Sequence, residues 1–196
     1  MRRVLEQAIA HEDRLGGPNL VIRLAALLHD IGKPKTRAFI EGGGVSFHHH
    51  EVVGARLAKK RLEALRFDND TIEAVELLTT LHLRFHGYGE GEWTDSAVRR
   101  YVRDAGDFIT HLHVLTRADC TTRNKTKAAR LAATYDSLEA RIAVLMEQEE
   151  LLKIRPDLDG AQVMQLPNLK PSREVGQAMD FLLELRLEEG PIGEEA

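Results

Sequence analysis

Apolar and polar positions recur along most of this chain with a period near 3.6, which predicts an almost wholly helical protein. Leu20 to Leu28 is a continuous apolar run entered from the turn Gly16-Gly17-Pro18-Asn19, with Asn19 placed to cap it. Val4 to Ala10 reads as the end of a helix, since no cap precedes it. Residues 35–45, with Gly42-Gly43-Gly44, predict a loop or short hairpin, and Ser46 opens a helix to about Arg66. Asp70-Thr71-Ile72-Glu73 has the form of a capping box for a helix to about Leu83. A glycine-rich loop, 87–93, leads to a helix capped by Thr94 or Asp95 and ended by Gly106, and residues 108–119 form one more. Beyond Asn124 the apolar positions Leu131, Tyr135, Leu138, Ile142, Leu145 and Leu152 predict one long helix, interrupted in its spacing by Glu149 and ended at Pro156. A last helix covers about Ser172 to Leu187. The change of character sets a soft boundary near residue 123, giving a first domain of residues 1–122 and a helical arm of 123–196.

Three of these helices end alike. His29 continues the stripe of Ile22 and Ala25, His82 that of Val75 and Leu78, and Asp119 that of Leu112 and Leu115. In each case a residue able to ligate a metal takes the i+7 place on an inward face. A core histidine is ordinary when one hydrogen bond satisfies it. A core-facing aspartate is costly without a cationic partner. Asp30, beside His29, also carries its charge at the negative end of a helix dipole. Read plainly, these are polar helix ends meeting solvent; read together, they fit a shared cation held by imidazole and carboxylate. His50, at the start of its helix, faces the same cleft from the other side.

Composition narrows the setting. The chain has 196 residues, 43% of them hydrophobic, and a net charge of −4. No apolar run approaches the roughly 20 residues a membrane span needs, and Glu6 and His11 interrupt the opening segment before a signal-peptide core can form. One cysteine, Cys120, excludes an intrachain disulfide and fits a reducing cytoplasm. Basic residues cluster at 56–66 and 117–130, whereas 184–196 are mainly acidic. Solvated helix faces are the ordinary explanation for such clusters. The triplet His48-His49-His50 runs on into apolar sequence, so it belongs to the native helix and not to a tag; His48 and His49 read as structural or exposed.

His29-Asp30 followed by Asp119 resembles the HD superfamily of helical metal-dependent phosphohydrolases, and His50 and His82 match extra histidines seen in many of its members. Longer runs narrow the resemblance: Phe47 to Ala55, Leu81 to Trp93, Val98 to Asp104, Arg117 to Asn124, Arg155 to Gly160 and Phe181 to Arg186. These are similar to the actinobacterial type of CCA tRNA nucleotidyltransferase. The resemblance implies an all-α fold, an HD-type helical bundle followed by a long helix and a small helical C-terminal arm. It implies a divalent metal such as Mg, Mn or Ni, held by His29, Asp30, His50, His82 and Asp119. His29, Asp30 and Lys33 become the catalytic candidates, with Lys33 neutralising a phosphate oxygen. Partners would be tRNA and a nucleotide or phosphate ester, with no membrane. Arg99, Arg100, Arg103, Arg123, Lys125, Lys127 and Arg173 become candidates for RNA phosphate contacts, which position without reading sequence. Around the glycine-rich loop, Arg84, His86, Tyr88 and Trp93 are open to two readings, stacking on a base or packing of Trp93 on its own helix.

Two departures shape the expectation. The Gly-Ser loop that opens the family's polymerising head does not occur here. The region is therefore expected to be a C-terminal piece, unable to add CCA alone. The superfamily's further histidine, on the helix preceding the His-Asp helix, is expected just before Met1, with His11 a poor substitute. Two rival readings are a free-standing HD phosphohydrolase and a helical domain with a decayed metal site that only holds tRNA. The long arm argues against the first, and metal content tests the second.

Overall fold

The computed structural model describes residues 2–89, 93–122, 124–149, 155–165 and 170–191. Leu152 and Arg123 lie outside these residues, as does the His86 side chain. The helices are α1 (Arg2–Ala10), α2 (Leu20–Leu28), α3 (Lys33–Thr36), α4 (His50–Ala64), α5 (Asn69–Leu81), α6 (Asp95–Ala105), α7 (Ile109–Asp119), α8 (Lys125–Glu149), α9 (Gly160–Gln165) and α10 (Arg173–Glu189). Among the described residues the only strands are β1 (Ala38–Phe39) and β2 (Val45–Ser46), paired antiparallel with Phe39 opposite Val45. The fold is the expected all-α class.

Two compact units emerge, Met1–Gly91 with Asp107–Leu138, and Glu92–Gly106 with Glu139–Ala196. This division departs from a simple cut at residue 123: residues 92–106 group with the C-terminal segment, and the first half of α8 groups with the N-terminal bundle. The physical reason for each is visible. Within the bundle, Tyr135 of α8 stacks on Phe85 at 3.8 Å between centroids and donates its hydroxyl to the Thr116 carbonyl at 2.8 Å. Within the other unit, Arg99 and Arg100 of α6 tie to the end of α10.

In the bundle, α1 packs on α2 and α7, α2 on α5 and α7, and α4 on α5. Ala58, Leu62, Ile72 and Val75 form a buried cluster against Val21, Leu24, Leu28, Ile31 and Phe67. Asn19 caps α2 as expected, its side chain accepting from the Ile22 amide at 3.0 Å. Glu12 braces the turn before it, accepting two hydrogen bonds from Arg23 at 2.7 Å each and one from the Asn19 amide at 3.0 Å. Two starts differ from expectation. Ser46 belongs to the hairpin, paired with Ala38, so α4 begins at His50 behind a left-handed His49 (φ 58°). Asp68, not Asp70, caps α5, accepting from the Thr71 amide at 2.8 Å. Tyr135, Leu138, Ile142 and Leu145 are buried along α8, as their spacing predicts.

Candidate metal centre

The three apolar stripes are fully buried, with Ile22, Ala25, Val75, Leu78, Leu112 and Leu115 all at 0% exposure. Each stripe carries its terminal polar residue to one place. His29 Nε2 lies 3.4 Å from Asp30 Oδ2 and 3.3 Å from Asp119 Oδ1. His50 Nε2 lies 3.3 Å, and His82 Nε2 4.0 Å, from Asp30 Oδ1. Asp30 is therefore the centre, one carboxylate oxygen facing His50 and His82 and the other facing His29. The ligating atoms of Asp30, His50 and His82 all fall within 4.8 Å of one another.

The three imidazoles share a geometry. Nδ1 of His29 contacts the Ala26 carbonyl at 3.0 Å, that of His50 the Phe47 carbonyl at 2.8 Å, and that of His82 the Thr79 carbonyl at 2.6 Å. A carbonyl oxygen only accepts, so each Nδ1 carries a proton and donates it three residues back. That fixes each ring and turns Nε2 inward, the arrangement that orients metal-ligating histidines elsewhere. The Nε2 atoms of His29, His50 and His82, with Asp30 Oδ1, are buried and have no hydrogen-bond partner in the protein. Buried polar atoms are normally satisfied. Four such atoms converging from three elements fit a divalent cation of the borderline class that accepts imidazole and carboxylate.

Electrostatics agree. Burial opposes charge on His29, but the Asp119 and Asp30 carboxylates outweigh it and raise its pKa to about 9. Burial likewise disfavours the Asp30 carboxylate, yet His29 and Lys33 hold its pKa well below the usual range. Asp119 is also lowered, with His29 overcoming burial. His82 is pushed down to about 4, chiefly by burial, and is held neutral. The two carboxylates thus have His29 and Lys33 as the positive groups beside them, with Lys33 Nζ 2.7 Å from Asp30 Oδ2. A cation could take over that role.

Residues 1–147 match the HD domain family. The chain belongs to that family. Over 179 residues, covering 89% of this chain, it is 38% identical to a CC-adding tRNA nucleotidyltransferase of Thermus thermophilus. Over 171 residues, covering 86% of the chain, it is 31% identical to an A-adding tRNA nucleotidyltransferase of Deinococcus radiodurans. A 75-residue segment is 37% identical to a multifunctional CCA protein of Neisseria meningitidis, covering 38% of this chain and 17% of that protein. The HD chain spans 37% and 38% of the length of the first two relatives.

The HD core also depends on residues with no chemical signature. Gly32 follows the His-Asp pair and lies directly against α4: a Cβ there would meet the His50 carbonyl oxygen at 2.2 Å and the Gly54 amide nitrogen at 2.7 Å. The missing side chain at Gly32 lets the start of α4, with His50, approach the segment that carries Asp30 this closely. Two glycines far apart in sequence gave no signal that they touch.

The basic candidates divide. Arg99 is buried at 5% exposure and donates to the Leu187 and Glu188 carbonyls at 3.0 Å, closing the end of α10. The expected phosphate contact is corrected to this structural role, because a guanidinium sealed against two carbonyls has no surface for RNA. Arg100 pairs with Glu184 and Glu188, and Arg103 with Asp104 and Glu184, while both keep part of their surface. Lys125 and Lys127 are exposed in the first turn of α8, and Arg173 in the first turn of α10. Trp93 meets Tyr101 edge-on at 5.4 Å, which favours packing on its own helix over base stacking.

Proposed function

We propose that this HD chain is the C-terminal portion of a tRNA nucleotidyltransferase of the CCA-adding kind, contributing a metal-dependent phosphohydrolase-type site and a tRNA-holding arm. Similarity along almost the whole chain to enzymes that add CC or A to tRNA supports the tRNA assignment. The runs Leu81 to Trp93 and Val98 to Asp104 support the actinobacterial type. Residues 1–196 contain no Gly-Ser loop, so nucleotide transfer is assigned to a region outside them. Lys125, Lys127 and Arg173, exposed, and Arg100 and Arg103, partly so, are the cations we assign to tRNA phosphates. Arg123 keeps this assignment on sequence grounds.

The observation that carries the hydrolytic half is the convergence of three inward imidazole nitrogens on the Asp30 carboxylate, all buried and none with a hydrogen-bond partner in the protein. His29, Asp30 and Asp119 would hold one cation, and His50 and His82 a second, with Asp30 shared. A bound divalent cation supplies polarisation of a phosphate ester and activation of water. The protein's own part is to fix the geometry. The Ala26, Phe47 and Thr79 carbonyls set the three rings, and Lys33 places a positive charge beside Asp30 for a phosphate oxygen. The test is manganese titration with turnover of a model phosphomonoester or a 2′,3′-cyclic phosphate. Asp30→Ala should lose bound manganese and turnover together. Unchanged turnover in that variant would place the activity elsewhere and leave the cluster structural.

A further inference from the structure

Between the two elements that carry Asp30 and His50 the chain makes its single hairpin among the described residues, and that hairpin presents an open aromatic face. Phe39 and Val45 are cross-strand partners and so lie on one face. Phe39 is 78% exposed, Ile40 51% and Val45 38%. A helical domain has no internal need to place a phenylalanine there. Arg37 lies over the Phe39 ring, its Cζ 4.9 Å from the centroid. The tip is built from Gly42, Gly43 and Gly44, all at positive φ (88°, 101° and 112°), and closed by the Ile40 amide on the Gly44 carbonyl at 3.2 Å.

Both roots of the hairpin are pinned to the cluster. On one side Lys33 pairs with Asp30 at 2.7 Å, and the Thr36 hydroxyl donates to the Gly32 carbonyl at 3.2 Å. On the other, the Phe47 carbonyl accepts from His50 Nδ1 at 2.8 Å, with Lys33 Nζ 5.9 Å from the Phe47 ring. With Lys33 paired to Asp30, residues 34–46 carry Lys35 and Arg37 against Glu41 alone. An exposed ring under a guanidinium, with a lysine just before it in the chain, is a combination that binds single-stranded nucleic acid: bases stack on the aromatic and on the guanidinium, and the cations follow the phosphates.

We infer that the hairpin is a stacking platform for the last bases of a single-stranded RNA end, so that the cluster acts on phosphate esters at RNA termini in preference to free mononucleotides. The inference rests on the phosphate-ester reading of the cluster, and it adds Phe39 and Arg37 as binding residues.

The experiment uses a short single-stranded RNA whose 3′-terminal base is 2-aminopurine, titrated with the protein while anisotropy and 2-aminopurine fluorescence are recorded. Stacking quenches that fluorophore. Phe39→Ala should weaken binding roughly tenfold and relieve the quenching. Phe39→Trp should retain both, and Arg37→Gln should weaken binding to a smaller degree. Circular dichroism of Phe39→Ala should match the parent, because the ring is outside the core and meets only the Arg37 guanidinium on the surface. Equal RNA affinity and equal quenching in Phe39→Ala would overturn the platform. So would a change in sedimentation of Phe39→Ala with RNA binding intact, which would make the face a contact between copies of the chain. Asp30→Ala reports separately on the cluster through manganese binding, so loss of the metal reading and loss of the platform are told apart.

Discussion

Adding one methyl group at Gly32 should do more damage than adding the same group at Gly54, although the two glycines face each other. A Cβ on Gly32 would stand 2.2 Å from the His50 carbonyl oxygen, 2.7 Å from the Gly54 nitrogen and 3.0 Å from the Gly54 Cα. All three atoms are backbone, so no side chain can swing aside. Ordinary contact requires the start of α4 to retreat by roughly 1 Å. Gly32 has φ −76° and ψ −22°, a conformation alanine accepts, so the cost is packing alone. Overpacking of this kind costs about 1–3 kcal/mol, and rigid backbone on both sides puts Gly32→Ala near the upper figure. A Cβ on Gly54 would meet the Gly32 nitrogen at 3.3 Å, the His29 carbonyl at 3.5 Å and Thr79 Cγ2 at 3.5 Å. That tight but tolerable fit is offset by about 0.8–1 kcal/mol of helix propensity, so Gly54→Ala should be close to neutral. In urea unfolding Gly32→Ala should lose about 2–3 kcal/mol, or roughly 4–12 °C in Tm. The same retreat draws His50 away from Asp30, and manganese affinity measured by calorimetry should fall about tenfold or more. A Gly32→Ala protein as stable and as tight for manganese as the parent would refute the close-approach reasoning, as would Gly54→Ala proving the worse of the two.

Other expectations are independent of the metal. Glu12→Gln should cost about 1–2 kcal/mol at pH 7, because Arg23 is 40% exposed and keeps its hydration. The carboxyl pKa of Glu12 is lowered in the fold, chiefly by its bonds from Arg23 against opposing burial. Its contribution is therefore complete above the ordinary value of 4.5 and is lost as pH falls through the lower folded value, so parent and variant should converge in acid denaturation. Tyr135→Phe removes the hydroxyl that meets the Thr116 carbonyl at 2.8 Å, and should lower urea stability by about 1 kcal/mol while leaving manganese binding alone. Residues 1–196 on their own should not extend tRNA with CTP and ATP; addition by protein freed of contaminating enzyme would reveal a nucleotidyl-transfer site among them.

Periodicity made the helices and their inward faces readable. The stripes ending in His29, His82 and Asp119 could be followed residue by residue, because a helix repeats every 3.6 residues and burial selects one side of it. The caps at Asn19 and Thr94 were equally local, each a short side chain meeting an amide within one turn. What no local pattern holds is the distance between elements. That Asp30 sits between His29 on one side and His50 and His82 on the other follows from how α2, α4, α5 and α7 pack. Gly32 and Gly54 set part of that packing through backbone contact across 22 positions of sequence. The arginines show the same limit: a guanidinium reads alike whether it faces RNA or, as at Arg99, seals the end of a neighbouring helix. The alternation of apolar and polar residues determined which faces are inside; only the packed structure decided which inward groups meet.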